Sequence, residues 1–225
     1  MLVMGLDTAL QRCSVAILRG NEVLADESAA MERGHAEHLA PMAAAALTKA
    51  AVAIRDLDRV GVVVGPGGFT GVRVALAFAR GLGVGTGLAV VGVTSLAALA
   101  AGAGSGGLVA PVIDARRGQV YAALYAENGR IITPPFVAAP KETLKKLVDV
   151  AAGKPVTLVG SGAGLLGGAS AGWTISGGSS DIEAKLVARL AAAAPRPDGP
   201  PAPLYLRPPD AKPGKPGIFG EAGGA

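Results

Sequence analysis

The sequence predicts an α/β protein whose two halves repeat one order of elements. Three observations carry this. Short apolar runs of strand length alternate with Ala-rich stretches of helical spacing along most of the chain. Each half opens on an apolar strand closed by an aspartate, Asp7 or Asp114, and followed by a hairpin signal, Gly20-Asn21 or Asn128-Gly129. A glycine-rich turn, Gly65 to Arg73, joins a buried strand to a helix N-terminus.

The elements follow in order. Leu2 to Leu6 is an apolar strand ending at Asp7-Thr8. Cys13 to Arg19 and Glu22 to Ser28 form a hairpin. His35 to Ile54 has helical spacing, with Pro41 in its first turns, where proline is tolerated. Val60 to Val64 is a strand, Thr70 to Val84 a helix and Ala89 to Val93 a strand. Ser95 is the expected N-cap of a short helix, Leu96 to Ala101.

In the second half, Leu108 to Ile113 is an apolar strand ending at Asp114. Gln119 to Ala126 and Arg130 to Val137 form the second hairpin. Lys141 to Val150 is a helix, Val156 to Gly160 a strand and Asp181 to Ala194 a helix. Ser161 to Gly178 is glycine-rich and yields no element. The tail from Pro195 is Pro- and Gly-rich; Leu204 to Arg207 docks in this reading, and disorder is expected after Pro208.

The duplicated βββαβα plan suggests the two-lobed architecture shared by actin, sugar kinases and heat-shock ATPases (the ASKHA fold). Its lobes are expected at 1–103 and 104–207, with the tail at 208–225. In that architecture the two Asp-bearing loops face each other across a nucleotide cleft. Asp7, Thr8, Gly67, Gly68 and Asp114 are then the nucleotide- or phosphate-facing residues. Each aspartate also has a plainer use as a strand-ending turn former. The glycine turn likewise serves either an anion or close helix packing.

Composition narrows the class. The chain has 225 residues, half of them hydrophobic, enough for a sizeable core. Aromatics are only 4%, which leaves few side chains as stacking platforms and weighs against a single-strand nucleic-acid binder. Residues 1–100 carry eight basic and eight acidic side chains, and residues 101–225 thirteen and nine, so the +4 excess lies in the second half. Arg116 and Arg117 belong to it; a solvated face is the plain reading and an RNA phosphate contact the sharper one. The single cysteine, Cys13, fits a reducing, cytoplasmic compartment. No signal peptide is expected, because Asp7 and Arg12 interrupt any apolar leader. Gly81 to Ile113 is uncharged, but nine glycines and a proline break it, so no membrane span is expected.

The catalytic inventory is thin. Gly65 to Gly71 lacks the third glycine of a dinucleotide fingerprint, since position 70 is Thr70, and no Lys-Ser/Thr follows as in a P-loop. Gly168 to Gly172 matches G-x-S-x-G, but no histidine lies beyond His38 to serve it. His35 and His38 are spaced i, i+3, against the i, i+4 of a zincin helix. From the residues alone the chain is a two-lobed binding or scaffold protein.

Six stretches, in order, carry a resemblance. Met4 to Ala9 with Cys13 to Ala16 is similar to an I-D-T-S opening and a C-S-V-A strand. His35 to Pro41 resembles H-x-x-x-L-x-P. Gly65 to Arg73 resembles G-P-G-S-F-T-G-[LV]-R, with Gly68 in place of serine. Gly92 to Leu96 resembles G-V-S-T-L, and Asp114 to Tyr121 resembles D-A-R-x-x-E-V-Y, with Gln119 in place of the acid. Pro203 to Arg207 resembles P-x-Y-L-R. Together they resemble the TsaB family, also called YeaZ.

The resemblance implies a non-catalytic subunit that works with the catalytic paralogue TsaD and the ATPase TsaE. Their product is threonylcarbamoyl-adenosine beside the anticodon of tRNA. The paralogue's metal-binding H-x-E-G-H place here reads Ser95 to Leu99, without a ligand. No cofactor of the chain's own is implied, only ATP or ADP at the interface with TsaD. The partner surface implied is the first two helices, with Leu39, Met42, Ala46, Val74 and Phe78 as contacts. The same helices are expected to form a homodimer when the chain is alone, and tRNA is reached through the complex. The rival expectation is an ATP-dependent small-molecule kinase of the actin-like superfamily working between Asp7 and Asp114. A zinc peptidase is a weaker third.

Overall fold

A computed structural model of the chain describes residues 1–104, 106–167, 172–176 and 180–207. The expected tail, 208–225, and most of the G-x-S-x-G match lie outside the described residues.

The first half builds a five-stranded sheet from β1 (Leu2–Asp7), β2 (Arg12–Arg19), β3 (Glu22–Ala30), β4 (Arg59–Val63) and β5 (Ala89–Val93), in the order β3-β2-β1-β4-β5. The second half builds its counterpart from β6 (Leu108–Asp114), β7 (Val120–Tyr125), β8 (Ile131–Ala138), β9 (Val156–Val159) and β10 (Thr174–Ile175), in the order β10-β9-β6-β7-β8. Read from the hairpin edge, both sheets run third, second, first, fourth, fifth. In each, the first strand pairs antiparallel with the second and parallel with the fourth. This is the duplicated α/β plan expected from the sequence.

Five helices pack on these sheets: α1 (His35–Lys49), α2 (Phe69–Thr86), α3 (Ser95–Gly102), α4 (Pro140–Ala151) and α5 (Ala184–Ala193). Helices α1 and α2 lie against the first sheet, and α4 against the second. Two helices cross over. The last helix, α5, packs on β1, β2 and β4 of the first sheet, while α3 of the first half packs on β6. A register pair of glycines, Gly5 and Gly61, makes room for α5. A Cβ at Gly5 would overlap the Ala184 carbonyl oxygen, and one at Gly61 would fall 2.5 Å from Ala191 Cβ. Arg59 then closes the helix: its Nη1 donates to the Ala191 and Ala194 carbonyls at 2.7 and 2.8 Å.

The crossover fuses the halves into one core. Val109, Ile113, Ala123 and Tyr125 of the second sheet join the core of the first half, together with Ile182 and Val187. The alternate residues Ala110, Val112, Ala122 and Leu124 face the other way, into a smaller core with Leu147, Val156 and Trp173.

Four local readings need correction. The helix from His35 stops at Lys49, not Ile54; Ala51 has φ 51° and the chain turns there. Thr94, not Ser95, caps α3, its hydroxyl accepting from the Ala97 N–H at 3.1 Å. Helix α5 begins at Ala184, three residues after Asp181, which is drawn instead toward Arg12 at 3.5 Å. The glycine-rich stretch after Gly160 does carry structure, a 3₁₀ turn at Ala163–Leu166 and strand β10. A two-residue strand among glycines has no periodicity to reveal it.

Candidate functional site: two clefts at the lobe junction

The glycine turn is a packing device first. A Cβ at Gly71 would overlap the Thr8 carbonyl oxygen, and one at Gly67 the Ala9 carbonyl oxygen. The Gly68 N–H donates to that Ala9 oxygen at 2.7 Å, and the Thr8 hydroxyl donates to the Gly71 carbonyl at 2.6 Å. The start of α2 is thereby fastened to the turn that follows β1.

A cleft of about 350 Å³ opens above this junction, between the 9–11 turn and Gly67-Gly68 on one side and Asp114, Arg116 and Asp181 on the other. The structure thus brings Gly67, Gly68 and Asp114 to one cleft. It places Asp7 and Thr8 beneath its floor, 0% and 1% exposed. One Asp7 carboxyl oxygen accepts from the Ala9 N–H at 2.9 Å; the other has no partner. Burial, with a smaller contribution from Asp181, pushes the Asp7 carboxyl up to about 7. Asp114 is held by its own loop: it accepts from the Arg116 N–H at 2.7 Å, and Arg116 Nη1 lies 3.6 Å from it.

Other candidate groups are disposed as follows. Cys13 is buried, and burial pushes its thiol up to about 11. His38 Nδ1 lies 2.9 Å from the Gly34 carbonyl, and burial holds His35 below the ordinary imidazole range. Among the described residues no three His, Cys, Asp or Glu side chains gather as metal ligands. No helix among them is long and apolar enough to cross a membrane.

Of the five residues expected at a partner contact, Leu39 and Ala46 are 1% and 0% exposed and fill the chain's own core. They sit on the inward side of α1, where helical spacing alone does not separate own sheet from partner. Met42, Val74 and Phe78 are half-buried along the α1–α2 surface.

A second, larger cleft of about 570 Å³ went unread in the sequence. Three distant stretches meet there: Phe69 and Arg73 of α2, the Arg116-Arg117 turn between β6 and β7, and Tyr205 with Arg207 of the closing segment. The closing segment is strapped down. Leu204 N–H donates to the Val64 carbonyl at 2.8 Å, and Arg80 Nε donates to the Pro201 carbonyl at 3.1 Å. The Arg73 guanidinium lies 3.5 Å from the centre of the Phe69 ring and donates to the Tyr205 hydroxyl at 2.8 Å. The signal available in the sequence was the docked Pro203 to Arg207 stretch, but nothing in its spacing says which helix it meets.

Comparison with known proteins agrees with the fold. The family model described as TsaD, tRNA N6-adenosine threonylcarbamoyltransferase, matches residues 22–193. The chain is 35% identical over 131 residues to the Bacillus subtilis tRNA threonylcarbamoyladenosine biosynthesis protein TsaB, a match covering 57% of each chain. The chain therefore spans less than two thirds of the length of that curated relative. Among solved structures it is similar to YeaZ from Pseudomonas aeruginosa, at 30% identity and a TM-score of 0.74, covering 85% of this chain and 90% of that one. Component A of (R)-2-hydroxyglutaryl-CoA dehydratase from Acidaminococcus fermentans shares the two-lobed fold alone, at 13% identity and a TM-score of 0.51, covering 85% of this chain and 97% of that one.

Proposed function

The chain belongs to the TsaB (YeaZ) family, and we propose that it is the non-catalytic subunit that binds and activates TsaD, together with the ATPase TsaE, in making threonylcarbamoyladenosine on tRNA. The observation that carries this reading is the outward face of α1 and α2. Both helices pack inward on one sheet, and their outer faces present small side chains, Ala40, Ala44 and Ala77 among them, beside half-buried Met42, Val74 and Phe78. Such a face lets another helix pair approach closely. The same face supports a homodimer when the chain is alone.

The disposition of the acids favours a subunit over a kinase. A kinase working between the Asp7 and Asp114 loops needs both carboxylates open to the cleft. Asp114 reaches the cleft, but Asp7 is fully enclosed and does not. A nucleotide, ATP or ADP, belongs in this reading at the interface with TsaD, and the complex works on tRNA in the cytoplasm.

The test is reconstitution. The purified chain is mixed with TsaD and TsaE, and threonylcarbamoyladenosine on tRNA is measured by mass. Stimulation over TsaD and TsaE alone is the expected result. Equal modification with and without this chain would sink the reading.

A further inference from the structure

We propose that the second cleft binds a stretch of single-stranded RNA, with backbone phosphates on its arginines and an unpaired base against the Tyr205 ring. The choice of RNA rests on the functional reading above; the choice of a nucleic-acid strand rests on the cleft itself.

The charge is concentrated and of one sign. Arg73, Arg116, Arg117 and Arg207 line the opening, and among the described residues no acidic side chain does. Two of the four are held by neutral groups: Arg73 by the Tyr205 hydroxyl, and Arg207 by the Gln119 side-chain oxygen at 2.5 Å. Neutral partners orient a guanidinium without cancelling its charge. Arg116 does face an acid, Asp114, at 3.6 Å, but its side chain is 75% exposed, and such surface pairs yield readily to a better anion. Four planar forks around one opening match several phosphates in series better than one.

The rings point to bases. The chain has only four Phe, three Tyr and one Trp, yet Phe69, Tyr121 and Tyr205 all line this cleft. Phe69 and Tyr205 are 53% and 49% exposed, with centres 5.8 Å apart and planes tilted by 30°. Arg73 sits against Phe69, which stiffens the platform. Half-exposed rings beside guanidinium groups are how proteins hold unpaired bases, whereas a duplex hides its base faces.

The turn that carries two of the arginines is also unusual. Arg116, Arg117 and Gly118 have φ of 61°, 54° and 71°, three left-handed residues in succession. Two of them are not glycine, so the fold holds both arginine side chains in a conformation that side chains rarely adopt.

The experiment uses the full chain alone. Binding of a fluorescein-labelled, mixed-sequence 12-nucleotide RNA is followed by anisotropy over a range of salt. Arg117→Gln is expected to weaken binding and lower the salt slope by about one. Tyr205→Ala is expected to weaken it about tenfold at every salt concentration. Tyr205→Phe keeps the ring and is expected to bind within twofold, which separates stacking from loss of the docked segment. Lys145→Gln, on α4 away from the cleft, is expected to bind as the parent chain does. Absence of binding, equal losses at Lys145 and Arg117, full competition by ATP alone, or full competition by poly-glutamate would each overturn the proposal. Stimulation of tRNA modification without RNA binding by the chain alone would overturn this inference and leave the subunit reading standing. Binding through these residues without stimulation would do the reverse.

Discussion

Thr8 and Gly71 are locked together across 63 residues of sequence. The Thr8 hydroxyl donates to the Gly71 carbonyl at 2.6 Å, and the place a Gly71 Cβ would occupy is already filled by the Thr8 carbonyl oxygen. Gly71→Ala is therefore expected to push α2 away from the β1 turn, costing about 2–3 kcal/mol. In a chain of this size that lowers the melting temperature by roughly 5–10 °C. Gly68→Ser is expected to be neutral, since a Cβ at Gly68 meets Ala9 at an ordinary 3.5 Å and the residue has φ −62°. Thermal denaturation followed by circular dichroism checks both. An unchanged Gly71→Ala variant would show that the turn is loose.

Arg59 holds the crossover helix from the sheet it covers. Its Nη1 satisfies two carbonyls at the end of α5, which otherwise have no intrahelical partner. Arg59→Ala is expected to cost about 2 kcal/mol, with loss of protection concentrated in α5. Hydrogen exchange by mass spectrometry reads this directly. Uniform loss across both sheets would mean that α5 does not open as a unit.

The sequence exposed most of the fold because local signals and topology agree. Apolar strands of five to eight residues, glycine and asparagine turns and Ala-rich helices each announce themselves, and the repeat of their order gave the two-lobed plan. The crossover of α3 and α5 was hidden. Nothing in the spacing of Ala184 to Ala193 says which sheet the helix covers; the clue lay far away, in Gly5 and Gly61. The site was half legible for a similar reason. Asp114, Gly67 and Gly68 reach the first cleft, but Asp7 closes the same kind of strand and is buried, because the glycine turn packs over it. The second cleft needs three segments from separate parts of the chain, and no single window contains it.

Burial of Asp7 predicts a pH dependence of stability. Its carboxyl titrates at about 7 in the fold against an ordinary 3.8. Between those values the folded chain keeps a proton that the unfolded chain has released. The contribution of this group is therefore fully present below about pH 4, falls as pH rises, and is lost above about pH 7. Asp7→Asn keeps an acceptor for the Ala9 N–H and carries no charge. From pH 5 to pH 8 it is expected to gain on the parent chain by on the order of 2 kcal/mol in urea unfolding. A constant difference across that range would show that Asp7 is ionised throughout.

The outer face of α2 gives the most direct test of the partner surface. Ala77 is exposed one position before half-buried Phe78, on a helix whose inner residues Ala75, Leu76 and Ala79 are buried. Small residues there allow a second helix pair to pack backbone to backbone, and a long charged side chain removes that freedom. Ala77→Arg is expected to leave the melting temperature within about 2 °C, because an exposed helical position tolerates arginine. It is expected to weaken association with TsaD and with a second copy of the chain by at least about tenfold. Light scattering after size exclusion, with and without TsaD, measures both. If the variant associates as the parent does, the contact lies elsewhere on the molecule, and the small-residue face of α1 and α2 serves only internal packing.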